Sequence, residues 1–280
     1  MTVTLSHGDR SQAVALLQKK LNASGAKLRV DGDYGDETEK AVRVYQRKVG
    51  LVDDGIAGSK TQDALAGKSC ANLLGHADLS AAAKRLGVDI AIVLAVNQVE
   101  SLGNGFASNG KPTLLFERHI MYRQLCSPQH PDDDAKQLKQ HADELARLYP
   151  NLINSAPGGY AGGTAEHQRL ARARMIDDSS ALASASWGAF QIMGYHWQLL
   201  GYSSVQEFAE RMAKSEAEQF EAFVRFIEAD PALHKALKNK KWAEFAKRYN
   251  GPSYARNLYD TKLERAYLQH AQCQPEALAA

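Results

Sequence analysis

Cysteine is scarce in this chain. Three cysteines in 280 residues, Cys70, Cys126 and Cys273, are too few and too scattered for a disulfide framework or a Cys-rich zinc site, and their odd number fits a reducing compartment. Long hydrophobic runs are missing too. The longest, Ile90 to Val96, falls far short of the roughly 18 residues of a membrane span. The opening Met1-Thr2-Val3-Thr4-Leu5-Ser6-His7 lacks the basic and apolar stretches of a secretory signal. The expectation is a chain made in the cytoplasm and not stably inserted in a membrane. No charge of one sign dominates: 34 Lys and Arg face 32 Asp and Glu, a net +2, and residues 1–66 and 67–280 each carry +1. A nucleic-acid binder shows a basic domain or stripe, so nucleic acid is not an expected partner. Nine histidines stand singly, with no His-Glu-x-x-His spacing, and neither a metal nor a cofactor is expected. What is present is an ordinary globular composition, 44% hydrophobic and 24% charged. The length suits about two domains of roughly 150 residues.

The first 66 residues contain a near-repeat. Asp31-Gly32-Asp33-Tyr34-Gly35-Asp36-Glu37-Thr38 returns as Asp54-Gly55-Ile56-Ala57-Gly58-Ser59-Lys60-Thr61, and Ala13-Val14-Ala15-Leu16-Leu17-Gln18 returns as Ala41-Val42-Arg43-Val44-Tyr45-Gln46. Val14, Leu17 and Leu21 share one helical face, as do Ala41, Val42 and Tyr45, with stops near Gly25 and Gly50. Each Asp-Gly signals a turn in which a glycine can take positive φ. The threonine that follows falls in a first helical turn, where its hydroxyl can bond backbone. The reading is a three-helix domain near the lower size limit for independent folding. The pattern Gly8-Asp9, Val14, Leu17-Gln18, Leu21, then Asp31-Gly32-x-x-Gly35-x-x-Thr38, resembles the peptidoglycan-binding domain of cell-wall hydrolases. The resemblance implies a wall-binding groove at the loops 31–35 and 54–58, with Asp31, Tyr34 and Asp54 as candidate contacts.

Residues 67–78 read as a linker, and 79–275 as a larger, mainly helical domain. Leu79 to Leu86 is a helix ending at Gly87, and Asp89 can cap the apolar helix Ile90 to Glu100. Thr113 to Phe116 suits a short strand. Ala135 to Leu148 is amphipathic, Ser155 to Thr164 is a Gly-rich loop, and four or five helices follow from Glu166 to Gln272. The expected fold class is mainly α, with at most a short β-hairpin or sheet.

Glu100 closes the apolar helix and precedes a Gly-rich turn. Apolar surroundings and the negative end of a helix both favour a protonated carboxyl, the form that can protonate a leaving oxygen. A solvated last-turn glutamate is the alternative. Glu100-Ser101, Ser186-Trp187-Gly188-Ala189-Phe190-Gln191-Ile192-Met193-Gly194 and Tyr249-Asn250-Gly251-Pro252-Ser253-Tyr254 resemble, in order, the motif set of goose-type lysozymes and lytic transglycosylases. Together with Leu114-Leu115-Phe116-Glu117-Arg118-His119 and Gly158-Gly159-Tyr160, they look like the N-acetylmuramidase family of modular phage endolysins.

The resemblance implies a monomeric peptidoglycan glycosidase that reaches the wall after the membrane is permeabilised. Glu100 would be the general acid at the β-1,4 bond between N-acetylmuramic acid and N-acetylglucosamine. Glu117 would be a second carboxylate or, alternatively, an ion-pair partner of Arg118 or of another buried basic residue that organises the fold. Ser101, Tyr160, Gln191, Tyr249 and Asn250 would bind substrate. His119 reads as a structural hydrogen-bonder, and Trp187 and Trp197 as core. A lytic transglycosylase forming 1,6-anhydro ends stays open. The rivals from other classes are a zinc amidase or peptidase, a Cys-His hydrolase built on Cys126, and a non-catalytic wall-binding protein.

Overall fold

The computed structural model describes residues 3–101, 103–251 and 254–272. Met1, Thr2, Pro252, Ser253 and Cys273, which figure in the reading above, lie outside the described residues. The chain divides into two compact units, Met1–Val99 with Ala232–Ala280, and Glu100–Pro231.

The first unit begins with α1 (Gln12–Ala23), α2 (Asp36–Lys48) and α3 (Ser59–Leu65). Val14, Leu17, Leu21, Val42 and Tyr45 are buried around Tyr34 and Ala57, as the periodicity predicts. A bridge between Leu5 and Ala57 closes the domain. The repeat proves to be a duplicated hydrogen-bond clasp. Gln18, 2% exposed, donates from Nε2 to the Asp31 carboxylate, the Asp33 carbonyl and the Thr38 hydroxyl, and its Oε1 accepts from the Asp31 and Gly32 amides. Gln46, equally buried, donates to the Asp54 carboxylate, the Ile56 carbonyl and the Thr61 hydroxyl, and accepts from the Gly55 amide. Thr38 and Thr61 bond the Asp33 and Ile56 carbonyls, as expected of first-turn threonines. Gly32 and Gly55, at φ +76° and +75°, supply the left-handed turn that aims each amide at its glutamine.

The unit continues with α4 (His76–Leu86), the first ten residues of α5 (Ile90–Glu100), α12 (Pro231–Lys238) from Ala232, α13 (Trp242–Asn250) and α14 (Tyr259–Gln272). α4 starts inside the span read as linker, where the Asp78 carboxylate accepts the Gly75 amide at 2.9 Å, and Asp53 pairs with both His76 and Arg47. Asp89 caps α5 through the Ala91 amide at 2.8 Å, as expected. His270 on α14, 2% exposed, lies 2.7 Å from Gln98 Oε1 through Nε2, while its Nδ1 is buried without a hydrogen-bond partner among the described residues. Burial, then the nearby Arg43 charge, lowers its pKa to about 4, against the pull of Glu39 and Asp53.

The second unit holds Glu100, β1 (Leu114–Phe116), α6 (Arg118–Cys126), α7 (Ala135–Leu148), α8 (Glu166–Arg174), α9 (Asp178–Ala183), β2 (Ala185–Trp187), β3 (Ile192–Met193), α10 (Val205–Lys214) and α11 (Glu216–Ala229). Seven α-helices, rather than four or five, follow Glu166 among the described residues; short breaks at positions such as Ser215 and Asp230 divide what reads as longer amphipathic stretches. The three strands form an antiparallel sheet in the order β1-β2-β3, pairing Leu115 with Ser186 and Trp187 with Ile192. The fold is mainly α with one small sheet, as expected. Stacked Phe190 and Phe223 rings, 4.6 Å apart, seat the hairpin on α11.

Two outcomes follow. Gln18→Ala and Gln46→Ala strand buried amides, so each lowers stability by about 2–4 kcal/mol, measured by urea unfolding. His270 binds its proton near 6.5 when unfolded and near 4 when folded. The unfolded chain therefore holds the extra proton between those values. Stability falls as pH drops through this window, by on the order of 3 kcal/mol, and a His270→Gln variant shows a flatter melting-temperature profile.

Candidate active site

Glu100 is half-buried at the end of a helix whose residues Ala91 to Val96 are all buried. In the turn that follows, the Ser101 hydroxyl accepts the Gly103 amide at 3.0 Å. This turn and the β2–β3 turn are fastened to one helix. Gln219 on α11, 1% exposed, accepts the Ala189 amide at 2.8 Å and donates to the Gly105 and Met212 carbonyls. Glu216, one turn earlier, accepts the Gly105 amide at 2.8 Å. The Gln219 side chain lies so close beneath Gly188 that a Cβ there would sit 2.4 Å from its Cδ. In the hairpin, Gln191 adopts φ +51°. Its Oε1 accepts from Ser186 Oγ and its Nε2 donates to the Gly188 carbonyl, both at 2.8 Å.

Glu117 follows β1 and opens α6. Its Oε2 accepts the Tyr160 hydroxyl at 2.8 Å and lies 3.1 Å from His119 Nδ1. Among the described residues nothing engages its Oε1. Of the alternative partners, Arg118 does not pair with Glu117, and His119 is the basic side chain beside the carboxylate. Arg118 instead donates to the carbonyls of Pro150, Ala156 and Pro157 at 2.9–3.1 Å, because the loop brings unpaired carbonyls within reach of its planar fork of donors. From the other side, fully buried Glu166 accepts the Ala161 and Gly162 amides at Oε1, and the Phe116 amide and Arg169 at Oε2. Burial pushes its carboxyl up, but the Gly162 and Ala161 amides, Arg169 and the Phe116 amide outweigh that and hold it below the ordinary range. Arg169 also bonds the Phe116 and Asn151 carbonyls. The loop thus presents Tyr160, 48% exposed, above Glu117. Burial and then the Glu117 carboxylate raise the phenol's pKa, so it donates to Glu117 at neutral pH.

Comparison with known proteins gives this arrangement a context. The family described as N-acetylmuramidase matches residues 89–271. This chain belongs to the N-acetylmuramidase family. Residues 10–65 match the putative peptidoglycan-binding domain family. The chain is 51% identical to the Burkholderia AP3 phage endolysin, whose crystal structure superposes with a TM-score of 0.88 over 97% of this chain and 100% of that one. Shorter similarities, 43% identity over 65 and 61 residues, link it to the N-acetylmuramoyl-L-alanine amidase CwlL of Bacillus licheniformis and to the zinc D-Ala-D-Ala carboxypeptidase of Streptomyces albus G. They cover 22% and 21% of this chain but only 18% and 24% of those proteins.

Within the muramidase region, the structure joins Glu117 to Tyr160 and pins Gln191 to Ser186. Tyr249 and Asn250 end α13 in the other unit, with Tyr249 stacked on Phe245 at 6.0 Å. Trp187 is core, 5% exposed, its indole N–H on the Leu182 carbonyl. In the N-terminal domain Tyr34 is fully buried and donates to the Gly55 carbonyl at 2.7 Å, which corrects its assignment as a wall contact. Asp31 and Asp54 are engaged by the glutamine clasps. Sequence reasoning missed Glu166, Arg169, Glu216 and Gln219. Polar residues at core spacing on α8 and α11 were the available signal.

Gln219→Leu removes partners from the turns beside both Glu100 and Gln191, so it lowers activity and stability together, by about 2–4 kcal/mol in unfolding. Glu117→Gln and Tyr160→Phe separate two roles for the carboxylate. A fall in kcat confined to Glu117→Gln, at unchanged melting temperature, marks chemistry. Parallel rises in KM in both variants mark the positioning of Tyr160.

Proposed function

We propose that this muramidase-family chain is an endolysin-type glycosidase that hydrolyses the β-1,4 bond between N-acetylmuramic acid and N-acetylglucosamine, with Glu100 as general acid. The observation that carries the reading is the common anchoring, on Gln219 and Glu216, of the turn after Glu100 and the turn bearing Gln191. An acid that protonates a glycosidic oxygen must be held in fixed register with the groups that grip the sugar. One buried helix end supplies that register here.

Glu117 acts as the second carboxylate. Its Oε2 is held by Tyr160, and Oε1 is left to steady an oxocarbenium ion or to orient water. Gln191, Ser101, Tyr249 and Asn250 contact the N-acetyl sugars, and the exposed Tyr160 ring stacks on one of them. The N-terminal domain, residues 1–66, joined through residues 67–78 to the catalytic domain, residues 79–275, keeps the enzyme on its insoluble substrate by raising its effective concentration there. The chain acts as a monomer on the wall, with peptidoglycan as its macromolecular partner, once the membrane has been breached. No described helix is long and apolar enough to cross a membrane.

Digestion of purified peptidoglycan, read by mass spectrometry with and without borohydride, tests the reading. Reducible muramic-acid ends are expected. Non-reducible 1,6-anhydro ends, lighter by one water, would make the enzyme a lytic transglycosylase, and intact glycan with cut peptides would overturn the assignment. Glu100→Gln lowers the release of ends by at least about a hundredfold, the usual contribution of a general acid, while the chain still sediments with sacculi.

A further inference from the structure

The clasps engage Asp31 and Asp54 from within the N-terminal domain, and Tyr34 is buried; a different face of the domain has the shape of a ligand site. Across the domain, the end of α1, the segment 24–28 that follows it and one face of α2 enclose a groove of about 480 Å³. Leu21, Leu28, Ala41 and Tyr45 form its apolar lining, and Val44 on the wall is 60% exposed. Lys27, Lys40 and Lys48 surround it, and Glu37 is the one acidic residue lining it.

The cations of α2 fall into two sets. On one flank Arg43 pairs with Glu39, and Arg47 with Asp53. On the groove side Lys40, Val44 and Lys48 stand at i, i+4 and i+8, so they share a helical edge. Among the described residues Lys48 reaches only the Ser24 carbonyl, at 3.2 Å. Among the described residues Lys27 and Lys40 have no ion-pair partner. Three ammonium groups that have no ion-pair partner among the described residues, set around an apolar trough, are complementary to a ligand that carries carboxylates on a small, methyl-bearing frame.

In peptidoglycan that chemistry belongs to the peptide, not the glycan. The sugars are neutral, since the lactyl carboxyl of muramic acid is tied up in the amide to the stem, whereas the stem carries both alanine methyls and free carboxylates. We infer that the groove between α1 and α2 binds the acidic stem peptide of peptidoglycan, with Lys27, Lys40 and Lys48 receiving its carboxylates. The inference rests on wall binding by this domain as proposed above.

The test uses the full chain carrying Glu100→Gln, so that the wall survives the assay. Binding is measured by sedimentation with purified sacculi and with the same sacculi stripped of stems by an amidase. With the groove intact, the chain holds whole sacculi and loses at least about tenfold in affinity on stripped glycan, and the loss shrinks as salt rises. Adding Lys27→Glu and Lys40→Glu reproduces that loss on whole sacculi at unchanged melting temperature. A Lys19→Glu control, the same charge change per residue but outside the groove lining, leaves binding as it was. Equal binding to whole and stripped sacculi, or full binding by the double lysine variant, overturns the stem assignment while leaving wall binding standing. Failure to sediment with either preparation overturns wall binding itself. Whether reducing ends are released by the chain with Glu100 restored is read separately and bears on neither.

Discussion

The amide of Gln219 ties the catalytic region together. It is buried, and it places its oxygen on the Ala189 amide and its nitrogen on the Gly105 and Met212 carbonyls. A buried amide left unpaired is costly, so the two turns it joins are coupled through one side chain. One turn follows Glu100 and the other carries Gln191. The glycines at 105 and 188 are the complement of this arrangement, since a Cβ at either would run into the Gln219 side chain. A backbone approach this close makes side-chain size at two positions and amide chemistry at a third a single constraint.

A second constraint acts on the glycine-rich loop before α8. Such a loop has little apolar surface and would be mobile if only its own residues held it. Arg118 gathers three of the carbonyls in and before it, and Glu166 two of its amides. The buried Glu166–Arg169 pair then joins that loop to the end of β1. Removing one partner of such a pair costs far more than the pair is worth net, because the survivor stays charged and dry. The result is a tyrosine presented to solvent from a loop with fixed ends, its hydroxyl on the carboxylate of Glu117.

The N-terminal domain uses the same device twice in miniature. Gln18 and Gln46 each satisfy an Asp-Gly turn and a helical threonine from below. This internal use of Asp31 and Asp54 is why conspicuous loop residues need not be ligand contacts. A short polar side chain beside a glycine can complete a turn, and the signal is the same whether it faces a ligand or a neighbouring helix.

Sequence alone was enough for whatever depends on local order. The helix faces of α1 and α2, the apolar run of α5, the cap at Asp89, the β1 strand and the repeat itself are periodic or punctuated patterns, and they emerged where expected. The motif order was enough to resemble the family to which the chain belongs. Tertiary structure decided everything that turns on who meets whom across long separations. Arg118 could have paired with its neighbour Glu117 and instead took loop carbonyls some thirty to forty residues away. Tyr34 resembled a loop aromatic and became core, and Glu216 and Gln219 looked like ordinary helix polar residues until a turn more than a hundred residues earlier came to rest on them. The physical reason is that hydrophobic period and turn chemistry are properties of a few adjacent residues. The partner of a buried polar group is chosen only after the chain has closed, by whichever unpaired donors and acceptors packing leaves within reach.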